Sequence, residues 1–186
     1  MIIGVSAAIR TADLDDAAVI VEIVNPQIPR SIFFDVRREV QMPTFNDICE
    51  MLRSKEIKRN PMYIIENDAG EVRGLFLLKG SSQSTFYSEL VCAFLESDDY
   101  ETPMADEVMA MIKRMAFVDH SWHKLLAQCL DVEKDLSGLL VRSGFVLDGF
   151  QREAVFSRGR YNNLETYSLF RAQQEEQMAD ALGSRA

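Results

Sequence analysis

The stretch LLVRSGFVLDGFQREAVFSRGRYNNLETYSLFR, residues 139–171, carries most of the information on fold. It closes a short helix, KDLSGLLVRS (134–143), and enters a strand at Gly144-Phe145. The strand GFVLDGFQREAVFS (144–157) and a last strand, LETYSLFR (164–171), are rich in aromatic and β-branched residues. The six residues between them, RGRYNN, carry the Gly and Asn of a turn. A helix delivered directly into a β-hairpin is the end of a mixed α/β sheet.

Upstream, HKLLAQCL (123–130) reads as a strand and PMADEVMAMIKRMAFV (103–118) as a helix with Met104, Val108, Met111, Ile112 and Met115 on one face. STFYSELVCAFL (84–95) reads as a long strand. MYIIE (62–66) and EVRGLFLLK (71–79) flank a turn at Asn67–Gly70 and form a hairpin. Thr44-x-x-Asp47 is a capping box for the helix TFNDICEMLRSK, and Asp13 caps the helix DLDDAAVIVEIVN. VSAAIR (5–10) is the first strand. The predicted order is β-α-α-β-β-β-α-β-α-β-β.

The 186 residues suit one domain with its own core. A net charge of −9 repels phosphate backbones and anionic lipid, so nucleic acid and membrane surfaces are not expected partners. No apolar run approaches the ~20 residues of a membrane span. MIIGVSAAIR lacks the basic lead of a signal peptide. Three cysteines, Cys49, Cys92 and Cys129, sit in apolar surroundings without metal-like spacing. Reduced, buried thiols and a cytoplasmic location follow as expectations. His120-x-x-His123 has ligand spacing but no evident third ligand.

The C-terminal pattern resembles that of the GNAT superfamily of acyl-CoA-dependent N-acetyltransferases. Gly144-Phe145, Gly149, Arg152-Glu153 and Gly159-Arg160-Tyr161 fit its closing motif, and IRTADLDDAAVIVEIVN resembles its first strand and helix. The resemblance spans roughly residues 7–171. It implies a mixed, mostly antiparallel sheet of about seven strands flanked by about four helices. The domain is expected over 1–171, with 172–186 a polar tail of helical potential. It also implies a sheet splayed between the family's fourth and fifth strands, with acetyl-CoA in the gap. Backbone groups at the end of the fourth strand, here Ala93, Phe94 and Leu95, would hold the pantetheine arm. The pyrophosphate would sit on amides at the start of the next helix, where Gly residues admit close approach.

Each expected site position can be tested against its residue. The phosphate loop falls at Tyr100-Glu101-Thr102-Pro103-Met104-Ala105, where only Ala105 fits the pattern. Pro103 supplies no N–H, and Thr102 reads as a cap that closes the helix start on itself. The surrounding stretch, ESDDYETPMADEV (96–108), holds six carboxylates. A carboxylate ~6 Å from a bound phosphate charge costs about 3 kcal/mol at an effective dielectric near 20. The Asn expected eleven residues before Gly144 is Glu133, and the Tyr expected four residues before it is Leu140, which cannot protonate a leaving thiolate. Glu89 alone suits a family role, that of general base for an amine.

Three departures at one cofactor favour a fold kept without its chemistry. On that expectation the chain is a non-catalytic binding or assembly module with a degraded acetyl-CoA site and no bound cofactor. It would act through a protein partner or self-association, in a larger complex such as a virion. The alternative is an active acetyl-CoA-dependent N-acetyltransferase acting on an amine of a small molecule or protein, with Glu89 as its base.

Overall fold

Among the described residues, eight strands join into one sheet in the order β1-β2-β3-β4-β5-β6-β8-β7. The computed structural model describes residues 1–24, 43–54, 57, 61–79, 86–157 and 159–172. The strands are β1 (Ile2–Ile3), β2 (Ala7–Thr11), β3 (Met62–Asn67), β4 (Val72–Lys79), β5 (Tyr87–Phe94), β6 (Lys124–Leu130), β7 (Val146–Ser157) and β8 (Arg160–Phe170). All neighbours are antiparallel except β5 and β6. The sheet is thus mixed and mostly antiparallel, as expected, and β1 is an edge strand too short to read from the sequence.

Four α-helices lie among the described residues: α1 (Ala17–Val24), α2 (Phe45–Arg53), α3 (Pro103–Arg114) and α4 (Lys134–Arg142). Alternation along the strands sorts the core into two layers. Val91 and Ala93 of β5 pack with Ile20, Ile23 and Ile48 of α1 and α2. Leu90, Cys92 and Phe94 point to the other face and pack with Ala105, Val108 and Ile112 of α3 and Leu136 and Leu139 of α4. Of the predicted face of α3, Met104, Val108, Ile112 and Met115 are buried.

The local signals are realised in hydrogen bonds. Asp47 N donates to Thr44 Oγ1 at 3.3 Å and Thr44 N to Asp47 Oδ2 at 2.7 Å, closing the predicted capping box. Asp13 caps a short 3-10 turn, Leu14–Asp16, that leads into α1. The β7–β8 hairpin is tighter than predicted. Gly159 adopts φ +80°, so the chain reverses there and β8 begins at Arg160. Asn162 and Asn163 are strand residues, not turn residues. Asn162 is buried, and Asn163 Oδ1 accepts from the amide of Glu153, which stands at φ +50° in a bulge of β7. The predicted link over 25–42 and the tail beyond Ala172 lie outside the described residues.

Candidate functional site

Strands β5 and β6 pair only over Tyr87–Leu90 and Lys124–Ala127. Beyond that point β5 stays with β4 as far as Phe94, and β6 stays with β8 as far as Leu130. The two strands therefore fork, and the predicted splay lies between them. A small cavity of about 20 Å³ sits at the fork and is lined by Lys79, Glu89, Val91, Gln128 and Leu164 together with Leu90, Cys92, Ala127, Leu136 and Leu140. Glu89 shares the face of Val91, whereas Leu136 and Leu140 come from α4 on the opposite face, so the cleft passes through the sheet.

The expected base, Glu89, is half-buried in this cleft and pairs across β4–β5 with Lys79. Among the described residues neither side chain makes a hydrogen bond or ion pair. Lys79 was not singled out from the sequence. Its only signal is register, since placing it opposite Glu89 requires knowing where the β4–β5 connection ends.

The backbone positions expected to hold a pantetheine arm point in different directions. Leu95 N donates to Arg73 O at 2.7 Å, and Ala93 pairs with Leu75, so both face β4. By alternation the amide of Phe94 faces the gap. It donates to the hydroxyl of Tyr100 at 3.1 Å. Tyr100 is fully buried and its ring meets Phe94 edge-on, with centroids 5.0 Å apart.

At the start of α3 the amide of Ala105 donates to Thr102 Oγ1 at 3.3 Å, with Pro103 in the first turn. In the preceding acidic stretch Glu96, Asp98 and Glu101 are exposed. The stretch forms a 3-10 turn, Ser97–Glu101, in which Asp99 is buried and accepts from Arg73 Nη2 at 2.7 and 3.0 Å. Arg142 of α4 reaches over this turn, donating to Tyr100 O at 2.6 Å and Asp106 Oδ1 at 2.9 Å. Glu107 does not serve its own helix end. Its carboxylate accepts from the amides of Val5 and Ser6 and from Ser6 Oγ at 2.6–2.7 Å, tethering the start of the chain to α3.

The remaining expected positions are occupied as their residue types suggest. Glu133 is buried, with Oε2 accepting from the amide of Leu130 at 2.7 Å. Leu140 lines the cleft. All three cysteines are buried and none forms a disulfide among the described residues, and burial pushes the Cys129 thiol far above its ordinary range. Among the described residues no cluster of His, Cys, Asp or Glu could hold a metal ion, and no helix is long and apolar enough to cross a membrane.

No family model and no curated protein matches the chain. Solved structures do. The spermidine N-acetyltransferase of Vibrio cholerae in complex with CoA and spermine aligns with a TM-score of 0.74 at 18% identity, over 90% of this chain and 96% of that one. The dodecameric structure of the same bacterium's enzyme in an intermediate state aligns with a TM-score of 0.73 at 18% identity, over 90% and 95% of the two chains. At that identity the likeness speaks for the backbone alone. With the forked sheet and, among the described residues, two helices on each face, it shows a GNAT-like fold.

Proposed function

We propose that the chain transfers an acyl group from a thioester to an amine in the fork between β5 and β6. One observation carries this reading: Glu89 lines the cleft at the point where the strands part, with no partner among the described residues. A carboxylate so placed is available to take the proton of an attacking amine. The fold's neighbours act on spermidine, which makes amines the acceptor class to test first. Acetyl-CoA would supply the activated acyl group. The chain's residues fit its thioester end at the fork better than its pyrophosphate at α3. There the amide of Ala105 is used by Thr102 and Pro103 has none to give.

That mismatch favours a second reading, in which the same domain is a non-catalytic binding or assembly module. The two readings separate on cofactor binding. Calorimetric titration of acetyl-CoA at low salt is run on the wild type and on an E101G/P103G variant, beside thiol release with a panel of amines. Micromolar binding by the wild type and turnover of an amine support the transferase. No binding at millimolar acetyl-CoA, with binding gained by the glycine variant, supports the module and directs the search to protein partners or self-association.

A further inference from the structure

We infer that Lys79 and Glu89 together select an acceptor amine that carries a carboxylate on the adjacent carbon, an α-amino acid, over a polyamine. This rests on the transferase reading of the fork and names its acceptor class.

The two residues are directly opposite each other in the β4–β5 ladder and so project from the same face of the sheet. In an antiparallel ladder such partners stand with Cα atoms about 5 Å apart, and opposite charges there ordinarily satisfy one another. Here they do not. Both line the cleft, both are half-buried, and among the described residues neither side chain has a hydrogen bond or ion pair. The rest of the lining is mostly apolar, with Leu90, Val91, Leu136, Leu140 and Leu164. Charges in such a setting act more strongly than they would in water.

The pair presents one cation and one anion to whatever enters. An α-amino acid offers the complement, its ammonium to Glu89 and its carboxylate to Lys79. A polyamine offers only cations and places one of them beside Lys79. The charge of the whole chain, −9, would draw cations in general, so the discrimination has to be local. In the transfer step the ammonium gives a proton to Glu89, the freed nitrogen bonds to the thioester carbonyl carbon, the C–S bond breaks with the electron pair leaving on sulfur, and the second proton lost by the nitrogen ends on that sulfur, giving the amide and the free thiol. Lys79 holds the acceptor's carboxylate throughout and takes no part in bond making.

The test uses three probes on the full chain: L-leucine, isopentylamine, which is leucine without its carboxylate, and spermidine. Each is titrated calorimetrically and assayed by thiol release from acetyl-CoA, for the wild type, K79Q and K79E. The expected result is a preference for leucine over isopentylamine of about tenfold, a tenfold ratio being ~1.4 kcal/mol. K79Q should erase that ratio and K79E should shift the order toward spermidine. A wild type that prefers isopentylamine or spermidine overturns the inference, as does a ratio unchanged in K79Q. If no acceptor is turned over, the transferase reading fails on its own, and the calorimetric ratio still decides this one. Failure of all three probes to bind overturns the inference.

Discussion

The hydroxyl of Tyr100 accepts a hydrogen bond from the backbone amide of Phe94 at 3.1 Å, inside the fork of the sheet. The contact joins the end of β5 to the turn that leads into α3, and on the transferase reading its aromatic ring would stand where a pantetheine arm runs along the end of β5. Tyr100→Phe keeps the ring and removes the acceptor, leaving a buried N–H without its partner. The expected cost is about 1–3 kcal/mol, read as a lower midpoint in urea unfolding. Tyr100→Ala removes the ring as well and should cost about 3–5 kcal/mol. It also opens the gap, so acetyl-CoA should raise the melting temperature of Tyr100→Ala more than that of Tyr100→Phe. Equal responses would mean that the ring does not obstruct the arm.

Glu107 makes the start of the chain sensitive to acid. Its carboxyl is held below the usual range by the hydrogen bond from the Ser6 hydroxyl and then by the amides of Val5 and Ser6. A depressed pKa in the folded state means that the tether is fully present above the unfolded value of 4.5 and is lost as pH falls through the lower, folded value. Amide exchange at Val5 and Ser6 should therefore accelerate well below pH 4.5, ahead of exchange in β3 and β4. Glu107→Gln should show fast exchange at neutral pH and little further change with acid. These hydrogen bonds hold only the exposed terminal segment, so the effect belongs to that segment and not to global stability.

Asp99 and Arg73 close the other side of the same turn. Two guanidinium nitrogens reach the carboxylate, with the shortest contact 2.7 Å, and the aspartate side chain is only 8% exposed. Asp99→Asn keeps the shape but replaces charge-assisted bonds with neutral ones, for an expected loss of roughly 1–3 kcal/mol. Thermal melts at low and high salt provide the check. Because the carboxylate is mostly buried, the wild-type advantage should persist in high salt, whereas a surface pair would be screened out.

These contacts also show why the site was only partly legible. Features specified by near neighbours could be read directly: the Thr44–Asp47 box, the turn at Gly70, and the passage from α4 through Gly144-Phe145 into β7. The Thr102–Pro103 helix start was legible for the same reason. Glu107 and Val5 are 102 positions apart, and Arg73 and Asp99 are 26 apart, so no local pattern announces either contact. A tyrosine among six carboxylates reads as surface until Phe94 and Arg142 are known to surround it. The fork itself was available only through resemblance, because the pairing of β5 with β6 stops at Leu90 and Ala127 without a breaker residue at either position.

Glu89 separates a catalytic carboxylate from a structural one. Its side chain has no hydrogen bond or ion pair among the described residues, so replacing it by Gln removes no native contact of that kind. The stability of Glu89→Gln should therefore lie within about 0.5 kcal/mol of wild type. On the transferase reading, loss of the base should lower turnover by about 10²–10⁴-fold while donor binding is unchanged. Glu89→Asp shortens the side chain but keeps the carboxylate, and should retain more turnover than Glu89→Gln. Raising the pH should partly restore Glu89→Gln, because a larger share of the acceptor then arrives already deprotonated and needs no base. A pH-independent deficit, or one accompanied by weaker acetyl-CoA binding, would assign Glu89 to positioning and leave the proton to water.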